Sequence, residues 1–228
     1  MTYLFPAASS PAIAIAGTDR LFPIRRIYAI GRNYADHAAE TGLGGGQSVP
    51  GISLKPPDSF LPHGSVLPYP PATKELEPEV EMVIAIGKSG FDLSPEEAVD
   101  HIFGYAVGFD MIRRDVLRDC IANQHSWDLC KSFAGASPVG AIRPASEIGH
   151  PTAGTIAIDV NGTARQRGDL AQLIWKPAEI IARLSAYSPI EPGDIVFSGP
   201  PKGPAPVVSG DVLEGRIDGV GTLTATIG

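Results

Sequence analysis

Short apolar runs recur along the whole chain, each closed by glycine, proline or aspartate. Runs rich in β-branched and aromatic residues between such turns predict strands at Ala12–Ala16, Ile27–Ile30, Val80–Ile86 and Ile102–Phe109. Four more follow late in the chain, at Thr155–Val160, Asp194–Ser198, Val212–Ile217 and Leu223–Ile227. Glu191-Pro192-Gly193-Asp194 and Asp218-Gly219 are the clearest turn signals between them. Helical patterns are fewer: Asn33–Thr41, Ser94–Asp100 with Pro95 at the first helical position, Ile112–Ile121 and Pro177–Tyr187. In the last of these Ile180, Ile181, Leu184 and Tyr187 share one face, and Glu179 and Arg183 form an acid-to-base pair one turn apart. Gly42–Gln47, followed by Pro50-Gly51, reads as a mobile loop and a candidate lid. The pattern predicts a mainly β fold with a few helices, an α+β arrangement.

Composition narrows this picture. Hydrophobic residues are 43% of the 228 and charged residues 19%, so the chain can bury a core and is far from a disordered composition. No composition break marks a linker, and one domain over residues 1–228 is expected, with residues 1–25 as an N-terminal arm or hairpin and 26–228 as the core. The net charge of −7 and the lack of a basic stripe argue against nucleic acid. Apolar runs such as Met82 to Ile86 fall far short of the roughly 20 residues that cross a bilayer. The start has no basic signal region, so a cytoplasmic location is expected. The two cysteines, Cys120 and Cys130, provide neither a disulfide framework nor a zinc pattern and read as packing thiols.

Four segments carry candidate chemistry. Glu79 and Glu81 alternate at the head of an apolar strand, which points both carboxylates to one face about 6.5 Å apart. An isolated Glu-x-Glu is often a solvated acidic pair, as Glu75-Leu76-Glu77 illustrates. Next to a buried run, however, unpaired carboxylates are costly unless a cation compensates them. Asp110 closes the strand Gly104 to Phe109 and is either a helix cap or a third acid at the same site. Three carboxylates would suit a hard cation such as Mg2+ or Mn2+ rather than zinc. His37 and Glu40, three residues apart on a helix, are either a surface ion pair or an imidazole oriented to take a proton from water. Lys131, between Trp127 and Phe133, either snorkels or meets an anion in the interior.

In this order the segments resemble the fumarylacetoacetate hydrolase superfamily, especially its short bacterial members that act on acylpyruvates such as fumarylpyruvate. The resemblance runs from Ile27 onward. It is carried by Gly31-Arg32-Asn33-Tyr34-Ala35-Asp36-His37, Leu54-Lys55-Pro56, Glu79-Val80-Glu81, Gly104-Tyr105-Ala106 with Asp110-Met111 and Arg114-Asp115, Lys131-Ser132-Phe133, Val160-Asn161-Gly162 with Arg165-Gln166, and Leu173-Ile174. It implies a rolled mixed β-sandwich, usually a homodimer, holding one divalent cation, Mg2+ or Mn2+, on Glu79, Glu81 and Asp110. His37 with Glu40 would activate water and Lys131 would steady developing negative charge, while Arg32, Tyr34 and Arg114 would bind substrate. The implied reaction is cleavage of a carbon–carbon bond in a 2,4-dioxo acid, giving pyruvate and a carboxylic acid.

The chain departs from the family pattern at three polar positions. Pro200 stands for a threonine, Leu117 for a glutamine, and Ile112 for a residue that is often Thr or Ser. These departures keep two alternatives open: a decarboxylase, hydratase or tautomerase of 2-oxo acids, or a non-catalytic relative that binds metal or ligand.

Overall fold

The computed structural model describes residues 2–6, 9–40 and 50–228, apart from the side chains of Ala38 and Glu40. The candidate lid Gly42–Gln47 lies outside the described residues, as does Thr41, the last residue of the helix expected from sequence. Along the chain the strands are β1 (Ala12–Ala14), β2 (Leu21–Pro23), β3 (Arg26–Gly31), β4 (Gly51–Lys55), β5 (Phe60–Pro62), β6 (Val66–Leu67), β7 (Leu76–Ile86), β8 (Ile102–Arg113), β9 (Ser137–Val139), β10 (Arg143–Pro144), β11 (Thr155–Val160), β12 (Thr163–Asp169), β13 (Asp194–Phe197), β14 (Val212–Ile217) and β15 (Gly221–Ile227). The helices are α1 (Ala35–Glu40), α2 (Pro95–Ala98), α3 (Arg114–Ala122), α4 (Asp128–Lys131), α5 (Ala145–Ile148) and α6 (Pro177–Tyr187).

Two curled mixed sheets form the body, as the fold class read from the sequence requires. The larger runs β4-β3-β13-β7-β8-β9-β5, with β10 on β8; the smaller runs β12-β11-β14-β15-β6. Strand β7 is buried from end to end, and its alternation sorts the core. Val80, Met82, Ile84 and Ile86 face the smaller sheet and pack with Ile156, Ile158, Leu213 and Leu223 in the main core. Val83 and Ala85 point the other way, where Ile13, Phe22 and Ile24 of the β1–β2 hairpin cover them. Glu77, Glu79 and Glu81 belong to this second face by parity, so the acids continue a row of residues that is otherwise apolar.

Strands β7 and β8 pair antiparallel over almost their full lengths, with Glu79 opposite Asp110 and Glu81 opposite Gly108. Both strands outrun their sequence-based limits. Strand β7 begins at Leu76 rather than Val80 and passes through Pro78, a residue that breaks central ladders. It is tolerated because β13 pairs only with Val83 to Ala85. Val80, on the same parity as Pro78, turns its N–H away from β8 to Gln166 Oε1 at 2.9 Å. With β7 lengthened, β8 gains a partner past Phe109. It therefore runs to Arg113, and Ile112, expected in a helix, is strand, while Asp110 lies inside the strand and caps nothing. The polar edge strand β12 was invisible to a hydrophobic pattern, since only Gln166 of its seven residues is buried.

Cys120 and Cys130 are buried thiols, and burial pushes the Cys130 thiol up to about 11. No helix among the described residues is long and apolar enough to cross a membrane.

Candidate active site

The β7–β8 register brings three carboxylates together. One oxygen from each of Glu79, Glu81 and Asp110 lies within 4.8 Å of the others, and all three residues are buried. Their positive partners arrive from separate parts of the chain. Lys131, in α4, donates to Asp110 Oδ2 at 2.6 Å and lies 3.8 Å from Glu79. Arg114, at the start of α3, donates to Glu79 Oε1 at 2.9 Å and also to Glu77. Lys55, the last residue of β4, is entirely buried and donates to the second oxygen of Asp110 and, at 2.7 Å, to the carbonyl of Ala136. Three strands separate β4 from β8 in hydrogen-bond order, and only the roll of the sheet lets Lys55 reach across.

Four buried carboxylates, Glu77 included, thus share three cations, so that one negative charge would be left over if all four were ionised. Glu81 shows the strain. Burial, then the carboxylates of Asp110 and Glu79, push its carboxyl well above the usual range, although Gly199 N–H donates to it at 2.6 Å. Burial opposes ionisation at Asp110 as well, but Lys131 and Lys55 hold its carboxyl below its ordinary value. Converging oxygens of a carboxylate set larger than its cation set fit a hard divalent cation, which would favour the ionised form of Glu81.

The turn after β3 delivers the imidazole. Arg32 takes a left-handed backbone (φ 61°) between β3 and α1, and Asn33 then locks the segment. Its amide donates to the carbonyls of Trp175 and Ser198 at 2.9 and 2.8 Å, and its oxygen accepts from Trp175 N–H at 2.6 Å. This places His37 Nε2 3.7 Å from Glu79 Oε1. Glu40 ends the same helix three residues on, and its side chain lies outside the described residues. Gly199 is held at φ +96°, where a β-carbon would come within 3 Å of Ile30 O and Asn33 Cβ, so its N–H can approach Glu81 only as glycine.

A cavity of about 490 Å3 opens over these groups. It is lined by the charged and polar side chains of Arg32, His37, Glu77, Glu79, Arg114, Arg118 and Lys131 and by the apolar ones of Ile112, Leu117, Ile121, Trp127 and Pro204. Six of the sequence-derived site residues therefore meet: Glu79, Glu81, Asp110, His37, Lys131 and Arg114. Arg32 joins them at the cavity wall. Tyr34 does not. Its ring packs in the main core, 3% exposed, and its buried hydroxyl has no hydrogen-bond partner among the described residues. Burial, with Glu81 nearby, raises that hydroxyl above its ordinary range.

Lys55, Glu77, Asn33 and Gln166 had no role assigned from sequence. Gln166 joins Val80 N–H to the carbonyl of Pro201, tying β7 to the loop that carries Gly199. Each of the four is polar and buried, which no local pattern announces. Their presence in the strings that carry the family resemblance was the available signal for three of them, Glu77 excepted.

Comparison with known proteins places this site in context. Residues 26–228 match the family model described as fumarylacetoacetate (FAA) hydrolase C-terminal. A fumarylpyruvate hydrolase of Ralstonia sp is 38% identical over 174 residues, covering 76% of this chain and 90% of that protein. The mitochondrial oxaloacetate tautomerase FAHD1 of Mus musculus is 37% identical over 199 residues, covering 86% and 88%. The crystal structure of fumarylpyruvate hydrolase from Pseudomonas aeruginosa in complex with Mn2+ and pyruvate superposes with a TM-score of 0.96 at 40% identity, over 99% of both chains.

Proposed function

Since this chain belongs to the fumarylacetoacetate hydrolase family, we propose that it is a metal-dependent hydrolase that cleaves an acylpyruvate or related 2,4-dioxo acid to pyruvate and a carboxylic acid. The observation that carries this reading is the cavity lined by His37, Glu79 and Lys131, with the buried carboxylates of Glu81 and Asp110 converging on Glu79. Glu79, Glu81 and Asp110 would hold the cation, Mg2+ or Mn2+. When bound, it supplies positive charge for the neighbouring oxygens of the 2-oxo acid.

The remaining chemistry belongs to the chain. His37 takes a proton from water, and the water oxygen bonds to the carbonyl carbon of the acyl group. The bond from that carbon to the adjoining methylene then breaks. Its electron pair enters the pyruvate enolate, and the acyl carbon leaves as the carboxylic acid. A proton returned to the methylene completes pyruvate. Lys131, held against Asp110 and 3.8 Å from Glu79, keeps a positive charge at the cavity wall where the enolate forms. Arg32 and Arg114 would orient the substrate carboxylate, with Arg114 fixed by Glu77 and Glu79.

A test follows the ultraviolet absorbance of fumarylpyruvate with purified protein plus Mn2+ or Mg2+, then with a chelator, while pyruvate and fumarate are assayed. Metal-dependent release of both acids supports the hydrolase. A second reading, oxaloacetate tautomerase, is favoured by the FAHD1 relatives at 36–37% identity. Loss of the enol absorbance of oxaloacetate without release of pyruvate, and with no cleavage of 2,4-dioxo acids, would replace the first reading with the second.

A further inference from the structure

From the wall of this cavity we infer that the acyl end of the substrate is an uncharged hydrocarbon group, alkyl or aryl, rather than one ending in a second carboxylate. The inference rests on the acylpyruvate reading and narrows it. Ile112 and Leu117 are 1% and 6% exposed, and with Cys130, Val116 and Trp127 they form a hydrophobic cluster separate from the two sheet cores. Ile112, Leu117 and Trp127 also line the cavity, as do Ile121 and Pro204. An acyl chain running along Ile112, Leu117 and Trp127 therefore meets carbon, with Arg118 the charged side chain that α3 adds to the lining beside them, and hydrocarbon burial there is favourable.

A second carboxylate placed against this wall would shed water and need a cation in return. The cations nearby are engaged. Arg114, fixed by Glu77 and Glu79, is committed with Arg32 to the carboxylate of the 2-oxo acid, and Lys131 is held by Asp110. Arg118 forms a two-pronged pair with Glu75, with Nη1 to Oε1 at 3.1 Å. Glu77, also at the cavity, would repel an incoming anion. Arg32 lays its guanidinium near Gly51 at the start of β4 and serves the carboxylate that every 2,4-dioxo acid carries.

The experiment uses matched pairs on the full chain loaded with Mn2+. Binding of 2-oxononanoate and of 2-oxononanedioate, which lack the 4-carbonyl and cannot be cleaved, is measured by calorimetry at several temperatures. Cleavage of hexanoylpyruvate and fumarylpyruvate is followed alongside. The monoacid should bind at least about tenfold more tightly, the scale on which an apolar pocket discriminates, with a negative heat-capacity change. The kcat/KM for hexanoylpyruvate should exceed that for fumarylpyruvate by a similar factor. Ile121→Arg, at a position 38% exposed and so compatible with folding, should shrink both preferences.

Equal or tighter binding of the diacid, with efficient fumarylpyruvate cleavage, overturns the inference and leaves the hydrolase reading standing. Tighter binding of the monoacid with no cleavage of either dioxo acid supports the inference and overturns the hydrolase. Binding of neither 2-oxo acid overturns the inference.

Discussion

Two buried aspartates on the same sheet each meet two cations, and they differ in what surrounds them. Asp194, at the start of β13, accepts from Arg26 Nε at 2.9 Å, from Arg25 Nη1 at 3.3 Å and from Glu191 N–H at 2.9 Å. No second acid joins it as a metal-holding group among the described residues, and Arg26 reaches on to the carbonyl of Pro189 at 2.6 Å. That cluster is electrostatically complete and pins β13 beside β3. Asp110 has Lys55 and Lys131, yet Glu79 and Glu81 converge on it and would leave negative charge over if all were ionised. A buried acid with its own partners is architecture. Acids that outnumber their partners and open on a cavity make a binding site.

Mutations should therefore separate activity from stability at the Asp110 cluster and leave them joined at Asp194. The largest effect is expected for His37→Ala, a loss of about 10²–10⁴-fold in kcat, the usual contribution of a general base, with Mn2+ affinity unchanged. Steady-state kinetics and calorimetry check it, and retained turnover would remove His37 from the reaction. Glu81→Gln should weaken Mn2+ beyond the roughly 100-fold that losing an outer-shell partner can cost. Its unfolding in urea without metal should stay close to wild type, because the carboxyl is already driven toward the neutral form.

Asp194→Asn inverts that outcome. It should destabilise by about 3 kcal/mol, the low end for breaking a buried pair, since Arg25 and Arg26 keep access to water. Mn2+ affinity should not change; a weakened metal site would mean the two clusters are coupled through β13. Saturating wild type with Mn2+ at about 100 times its Kd should raise unfolding stability by about 2.7 kcal/mol, and a chelator should reverse the gain. The same titration should leave Glu81→Gln nearly unmoved. Tyr105→Phe tests a hydrogen-bonded pair away from both clusters, where the hydroxyl meets His150 Nδ1 at 2.8 Å. Its cost should be about 0.5–1.5 kcal/mol in urea, with kcat and Mn2+ affinity intact.

Local periodicity was enough to read much of this molecule. Thr155–Val160, Val212–Ile217 and Pro177–Tyr187 stand where their apolar spacing puts them. Glu79 and Glu81 share a face because strand geometry alternates side chains, whatever the rest of the chain does. The starts of β7 and α3 depart from the local pattern for one shared reason: each strand of the β7–β8 pair is extended by the other, and a pairing partner leaves no local trace. Tyr34 sits in a motif beside site residues, yet its side chain turns into the core.

The strand-rich architecture, the shared face of Glu79 and Glu81 and the helix that carries His37 were legible in the chain alone, because each depends on neighbours within one turn or one pleat. Only the tertiary structure decided that Lys55 is part of the centre, since the contact joins residues 55 positions apart through the roll of a sheet. It also decided that Glu77 holds Arg114, and that Ile112, Leu117 and Trp127, from a strand end, a helix and the bend before the next helix, make one apolar cluster lining the cavity. The physical reason is the same in each case. Charge balance and cavity shape are sums over groups brought together in space, and one-dimensional spacing does not contain them.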